Sequence, residues 1–170
     1  YCSRSAVTSS SDNSAIFVPA GDDLYRAIVA DGTIEQQLRN TEVRTGVGII
    51  GSIIESGRAE QVNDASRDPR AVQIDDTPDE DVERLMVAPL RAVDRPLGAI
   101  ALWRSGGEPF KPHELEFLVG LSLAASVAMR NAGLFDEARA AKADAEAARK
   151  LAESANEAKS AFLATMSHEI

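Results

Sequence analysis

Apolar and polar positions change their period twice along the 170-residue chain. Up to about residue 104 the apolar runs are short and bounded by Pro, Gly, Asn and Asp, the pattern of strands and turns. Residues 14–18 (SAIFV) and 24–30 (LYRAIVA) flank PAGDD and predict a β-hairpin. In residues 49–56 (IIGSIIES) the apolar side chains recur at helical spacing, and Gly57 supplies a stop. After RAEQV comes NDASRDPRA, a loop by its Asn, Asp and Pro content. Residues 84–90 (RLMVAPL) and 97–103 (LGAIALW) predict a second hairpin across RAVDRP, apolar enough for central strands. The simplest assembly is α+β, a largely antiparallel sheet with helices on one side.

From Pro112 the pattern turns helical. Pro112 suits a first helical turn, and Glu114 and Glu116 lie where the helix dipole favours acids. Leu115, Leu118, Leu121, Leu123, Val127 and Met129 leave little of the next stretch polar. A helix apolar on most sides needs cover from its own sheet and from a second subunit. After Asn131 Ala, Glu, Lys and Arg dominate, with no Pro or Gly between Leu134 and Ile170. Ala138, Ala141, Ala145, Ala148, Ala152 and Ala155 follow heptad spacing, and Phe162 resumes it after Lys159. Alanines bury little area each, so this seam is weak. An unbroken helix from Pro112 to Ile170 would measure roughly 90 Å. No compact domain needs that length, so the expectation is a connector that dimerises as a parallel coiled coil.

Composition narrows the class. Hydrophobic residues make up 44% and charged residues 26%, a globular balance. The net charge of −9 excludes a general basic field for nucleic acid or anionic lipid. Cys2 is the only cysteine, so no internal disulfide and no cysteine-built metal site can form. This suits a reducing, cytoplasmic compartment. The most apolar run, residues 117–129, falls short of the roughly 20 residues that cross a bilayer, so no membrane segment is expected here. Attachment of the parent protein to a membrane stays open. Tyr1 in place of Met and an ending within a helical pattern lead us to expect a segment of a longer protein.

Several residues invite chemistry and do not carry it. GVGIIG fits G-x-G-x-x-G, but polar RNTEVRT precedes it where a dinucleotide site needs an apolar strand in a parallel βαβ unit. Gly46, Gly48 and Gly51 therefore read as a turn and close helix–sheet packing. Asp64, Asp68 and Arg70 read as a loop held by its own side-chain hydrogen bonds, Trp103 as core, and His113 as a surface residue near a helix start.

Three stretches together resemble a GAF domain, a small-molecule-sensing and dimerisation module. They are GVGIIGSIIESGRAEQVNDASRDPR (46–70), MVAPLRAVDRPLGAIALWR (86–104) and PFKPHELEFLVGLSLAASVAMRNAGLF (109–135). The resemblance implies an antiparallel sheet flanked by helices over residues 1–133, with the family's first helix truncated. It also implies a small-molecule ligand of unspecified identity. Cys2 lies outside the region where the bilin-binding branch places its cysteine. The Asn-Lys-Phe-Asp-Glu constellation of cyclic-nucleotide-binding GAF domains is missing, which argues against that ligand.

The ending, KSAFLATMSHEI (159–170), closely resembles the start of the phosphoacceptor domain of sensor histidine kinases. By that resemblance His168 is the phosphorylated residue and Glu169 its general base. A neutral imidazole is a competent nucleophile near neutral pH, and an adjacent carboxylate can take its proton as the γ-phosphoryl of ATP arrives. Residues 134–158 would then be a coiled-coil signalling linker. The parent would be an ATP-dependent protein-histidine kinase using ATP and Mg²⁺, acting as a homodimer with a response regulator as partner. These residues alone, without an ATP-binding domain, should be inactive. Two other readings stay open: a ligand-binding dimerisation module whose helix is only a stalk, or one whose helix leads to another output such as a cyclase.

Overall fold

A computed structural model describes residues 12–74, 83–93 and 95–168, with the side chains of 162 and 164–168 excepted. The chain divides into two units, Tyr1–Val127 and Ala128–Ile170.

The first unit is built on two hairpins. Strands β1 (Asn13–Gly21) and β2 (Leu24–Gly32) form the one expected around PAGDD. Strands β5 (Glu83–Arg91) and β6 (Pro96–Ser105) form the other. Between them lie α1 (Glu35–Asn40), β3 (Glu42–Arg44), α2 (Gly48–Ser56), β4 (Glu60–Val62) and a single 3₁₀ turn, Ala65–Arg67. The strands join in the order β3-β2-β1-β6-β5-β4, with every pairing antiparallel. Helix α2 ends as its sequence predicts: Gly57 adopts the left-handed conformation (φ 67°) and its N–H bonds to the carbonyl of Ile53. Helix α1, strands β3 and β4 and the 3₁₀ turn are too short to leave a period in the sequence.

Side chains alternate across the sheet, and both faces are covered. One face carries Ala15, Phe17, Leu85, Val87, Ala99, Ala101 and Trp103, and packs against Leu38 of α1 and Ile49, Ile53 and Ile54 of α2. The opposite face carries Met86, Ala88, Leu90 and Ile100, all buried. On this side α3 (Pro112–His168) begins, and its Leu118, Ser122 and Ser126 are buried too. Helices therefore lie on both faces rather than one, which is why β5 and β6 read as nearly continuous apolar runs. Ser126 Oγ accepts a bond from the backbone N–H of Arg91 (3.0 Å) and donates to the carbonyl of Ser122 (2.7 Å). A small, satisfied hydroxyl there lets the helix sit close to the end of β5.

Trp103 is core as expected, 4% exposed and in edge-to-face contact with Phe17 at 6.4 Å. The GVGIIG segment carries no nucleotide-type geometry: the sheet is antiparallel, Gly46 and Gly48 make a turn at positive φ, and Gly51 lets α2 approach β3. A Cβ on Gly51 would stand 2.0 Å from the carbonyl oxygen of Arg44.

The second unit is the rest of α3, from Ala128. Within α3 an 18-residue window reaches a mean hydropathy of 1.4 with no more than two charged residues, long and apolar enough to cross a membrane by length and composition. The shorter run expected from the sequence stopped at Arg130, whereas this window tolerates a charge. Only 17% of that window is buried inside the protein, with Leu118, Ser122 and Ser126 the buried residues of this part of α3.

Candidate functional site

A cavity of about 680 Å³ opens on the α2 side of the sheet. Phe17 (β1), Leu85 (β5) and Trp103 (β6) form an apolar floor, and Val43 (β3) with Ile49 and Ile50 (α2) forms one wall. Ala65 and Ser66 of the 3₁₀ turn and the segment Ala71, Val72, Gln73, Ile74 form another. Its polar groups are few: Thr41, Glu42, Arg44, Ser66, Gln73 and Glu83. A large apolar hollow with sparse polar groups is the usual form of a small-molecule site.

Two clusters hold these walls in place. Asp68 accepts bonds from the backbone N–H of Arg70 (2.8 Å), from its Nε (3.0 Å) and, through the other oxygen, from a terminal guanidinium nitrogen (2.9 Å). The same guanidinium reaches Glu60 Oε2 of β4 at 3.0 Å. This is the self-bonded loop expected from NDASRDPRA, and Asp64 joins it only by a 3.6 Å pair with exposed Arg67. The Arg70 side chain holds the Asp68 carboxyl below the usual carboxylate range. None of Asp64, Asp68 or Arg70 lines the cavity, but the segments on either side of this knot do.

The second cluster joins the cavity wall to the start of α3. Asn63, the residue after β4, donates its amide to the carbonyl of Phe110 (3.2 Å) and accepts the Phe110 N–H (2.8 Å). Arg104 lies over the Phe110 ring at 4.1 Å, donates to the carbonyl of Glu108 (3.0 Å) and pairs with Glu114 at 2.9 Å. Glu114 also accepts the backbone N–H of Lys111 at 2.7 Å, satisfying a free donor at the helix start. Burial pushes the Glu114 carboxyl up, but the Lys111 N–H and the Arg104 guanidinium more than offset this and leave it below its ordinary value. On the cavity rim, Glu42 is held low by its bond and ion pair with Arg26.

Among the described lining residues there is no His, Cys, Met or Lys. Among the described residues no cluster could hold a metal ion. The arrangement is suited to binding. His113 is exposed, as expected at a helix start. His168 is the last residue of α3, Glu169 lies outside the described residues, and the cavity and the KSAFLATMSHEI segment belong to different units. The sequence reading missed the cavity because its lining comes from seven separate segments with no shared motif. The one local signal was VQI (72–74), an apolar return directly after a polar loop.

The chain matches the GAF domain family over residues 6–129, and it belongs to that family. The same fold appears in the second GAF domain of DevS from Mycobacterium smegmatis, at 21% identity and TM-score 0.61, covering 75% of this chain and 86% of that one. It appears also in the GAF domain of a phosphoenolpyruvate-protein phosphotransferase from Coxiella burnetii (19%, TM-score 0.66, 75% and 76% covered). A third case is a GAF domain/HD domain protein from Geobacter sulfurreducens (13%, TM-score 0.62, 76% and 87% covered). The protein is thus a GAF-domain protein, of a class of sensory modules that recurs in many signalling proteins.

Proposed function

We propose that this chain is the sensory and dimerising part of a two-component sensor histidine kinase. One observation carries the reading: a single uninterrupted helix, Pro112–His168, begins beneath the GAF sheet and ends at the histidine of KSAFLATMSHEI. In this reading a small molecule in the cavity biases the packing of α3 in a homodimer. A neutral His168 imidazole then attacks the γ-phosphorus of ATP held by the parent's ATP-binding domain. The bond to the β–γ bridging oxygen breaks, ADP leaves, and Glu169 takes the imidazole proton. Phosphoryl transfer to a response regulator, in the cytoplasm, completes the sequence.

Radiolabelled ATP tests this on the full parent chain, with His168→Ala beside the wild type. Acid-labile, base-stable label in the wild type alone supports the reading. Equal label in both, or none in a folded dimer that binds ATP, overturns it. The neighbours named for a phosphotransferase and an HD-domain protein favour one rival, in which the same module serves another output. In that case His168→Ala is silent.

A further inference from the structure

Two arginines stand opposite each other on the α3 side of the sheet. Arg84 of β5 pairs in register with Arg104 of β6, and the two are 9% and 7% exposed. Like charges directly opposite repel, and a buried charge without a counter-ion is costly. Arg104 is provided for: it pairs with Glu114, bonds the carbonyl of Glu108 and lies over the Phe110 ring. Arg84 is not. Among the described residues no carboxylate comes within ion-pair distance of it. Its Nη1 donates to the carbonyl of Gly106, and its Nε is buried with no protein partner.

A second unpaired atom belongs to the same neighbourhood. Gln61 of β4 pairs with Met86, and Arg84 precedes Met86 by two on the same face. Gln61 and Arg84 are therefore diagonal neighbours, within reach of each other's long side chains. Gln61 Oε1 is likewise buried without a partner. Buried polar groups are nearly always bonded, so an orphaned donor beside an orphaned acceptor points to a bound ion or water between them.

The chemistry of the two atoms specifies the ion. With Nη1 engaged, Nε and Nη2 remain, and these share one edge of the planar guanidinium. That edge takes two oxygens of one oxyanion at once. Gln61 Oε1 only accepts, so the same ion must also donate an O–H. Sulfate and acetate carry none near neutral pH, whereas hydrogen phosphate and bicarbonate do. There is open space on the side of the turn, since a Cβ on Gly106 or Gly107 would meet no other part of the chain within 4 Å.

We propose that Arg84 and Gln61, beside the Gly106–Gly107 turn, form a binding site for a small oxyanion that keeps an O–H, the chemistry shared by hydrogen phosphate and bicarbonate. The site lies on the opposite face of the sheet from the cavity. Its occupant neutralises Arg84 and braces the turn that leads from β6 to α3. It is independent of the functional reading above.

The test titrates the chain near neutral pH, at constant ionic strength, with phosphate, bicarbonate, sulfate or acetate. Nitrogen-15 NMR follows the Arg84 Nε–H and the Gly106 and Gly107 amides. Phosphate or bicarbonate should shift them saturably and bind at least about tenfold more tightly than sulfate or acetate, which leave Gln61 Oε1 unpaired. The tighter of the two identifies the source of the anion. Gln61→Leu should keep binding but lose this preference. Arg84→Lys keeps the charge without the two-pronged edge, and should weaken binding at least about tenfold on the glycine amides. The absence of a saturable shift with either anion overturns the proposal, as does equal affinity for sulfate and acetate. Undiminished binding in Arg84→Lys would mean an adventitious ion only, and a preference that survives Gln61→Leu would also refute it. The wild-type comparison decides by itself if a variant fails to fold, and no readout involves ATP.

Discussion

The bond pair between Asn63 and Phe110 is the most informative contact to remove. Phe110 is 3% exposed, and both its N–H and its carbonyl use the Asn63 amide as partner. Asn63→Ala deletes two hydrogen bonds, each worth about 0.5–1.5 kcal/mol net, and strands groups whose desolvation costs about 1–3 kcal/mol when they go unpaired. The Arg104 contacts hold Phe110 from the other side, so part of the backbone can relax toward water. Together these set the loss at about 2 kcal/mol. With a urea m-value of about 2 kcal/mol/M for a domain of this size, the midpoint should fall by about 1 M at unchanged m. Trp103 is the sole tryptophan and lies in the core, so its fluorescence reports the transition directly. Protein concentration must be matched between variants, because any self-association would add to apparent stability. Arg67→Ala is the control: the Arg67 side chain is 85% exposed, and its removal should cost less than about 0.5 kcal/mol. A midpoint for Asn63→Ala within about 0.25 M of wild type would refute the reasoning, since it would mean these bonds are replaced by water at no cost.

Gly51→Ala should destabilise by about 1–3 kcal/mol in the same assay, because the Cβ would sit 2.0 Å from the Arg44 carbonyl; a gain of about 1 kcal/mol, as helix propensity alone predicts, would show that α2 can shift away. Glu114 has a depressed carboxyl, so its contribution is present above its unfolded value of about 4.3 and lost as pH falls through the lower folded value. The stability gap between wild type and Glu114→Gln should therefore be constant near neutral pH and close in acid, and a gap independent of pH would refute the ion pair's role. A small molecule that binds the cavity should change Trp103 emission, and Ser66→Trp, which fills one wall, should weaken its binding at least about tenfold; undiminished binding would place the ligand elsewhere.

How much was legible in the chain follows from element length and from where each contact lies. The four long strands and α2 announce themselves by apolar runs between turn residues, and Gly57 marks its helix end because only a residue without Cβ enters the left-handed region cheaply. The continuity of α3 was legible because no Pro or Gly interrupts Leu134 onward. The second covering layer was less so: periodicity shows that Met86, Ala88 and Leu90 alternate with Leu85 and Val87, but not that both sets are buried. Helix α1 and strands β3 and β4, at six, three and three residues, are fixed by partners rather than by pattern. The cavity and the Asn63 bridge were illegible for a related reason, since they join positions up to 47 residues apart whose types are ordinary by themselves. The Asp68–Arg70 knot is the exception, because its partners are two residues apart and their chemistry is local.

The functional reading needs cavity occupancy to act on α3, and the contacts within the GAF unit show a short route. Ala65 and Ser66 line the cavity two and three residues beyond Asn63, and Phe110 precedes Pro112, the first residue of α3, by two. A displacement of the 3₁₀ turn therefore has a route through Asn63, the residue after β4, to the turn before the helix, where Arg104 and Glu114 join β6 to the first turn of α3. Spatial connection alone does not make a relay; the coupled element must have two states that the ligand binds unequally. A seam of alanines suits that demand, because each buries little area and alternative packings then lie close in energy. A ligand preferring one state tenfold supplies only about 1.4 kcal/mol, enough to shift a seam of small side chains between packings of similar energy. If occupancy of the cavity moves α3, a change of packing along this seam is the motion its alanines leave inexpensive.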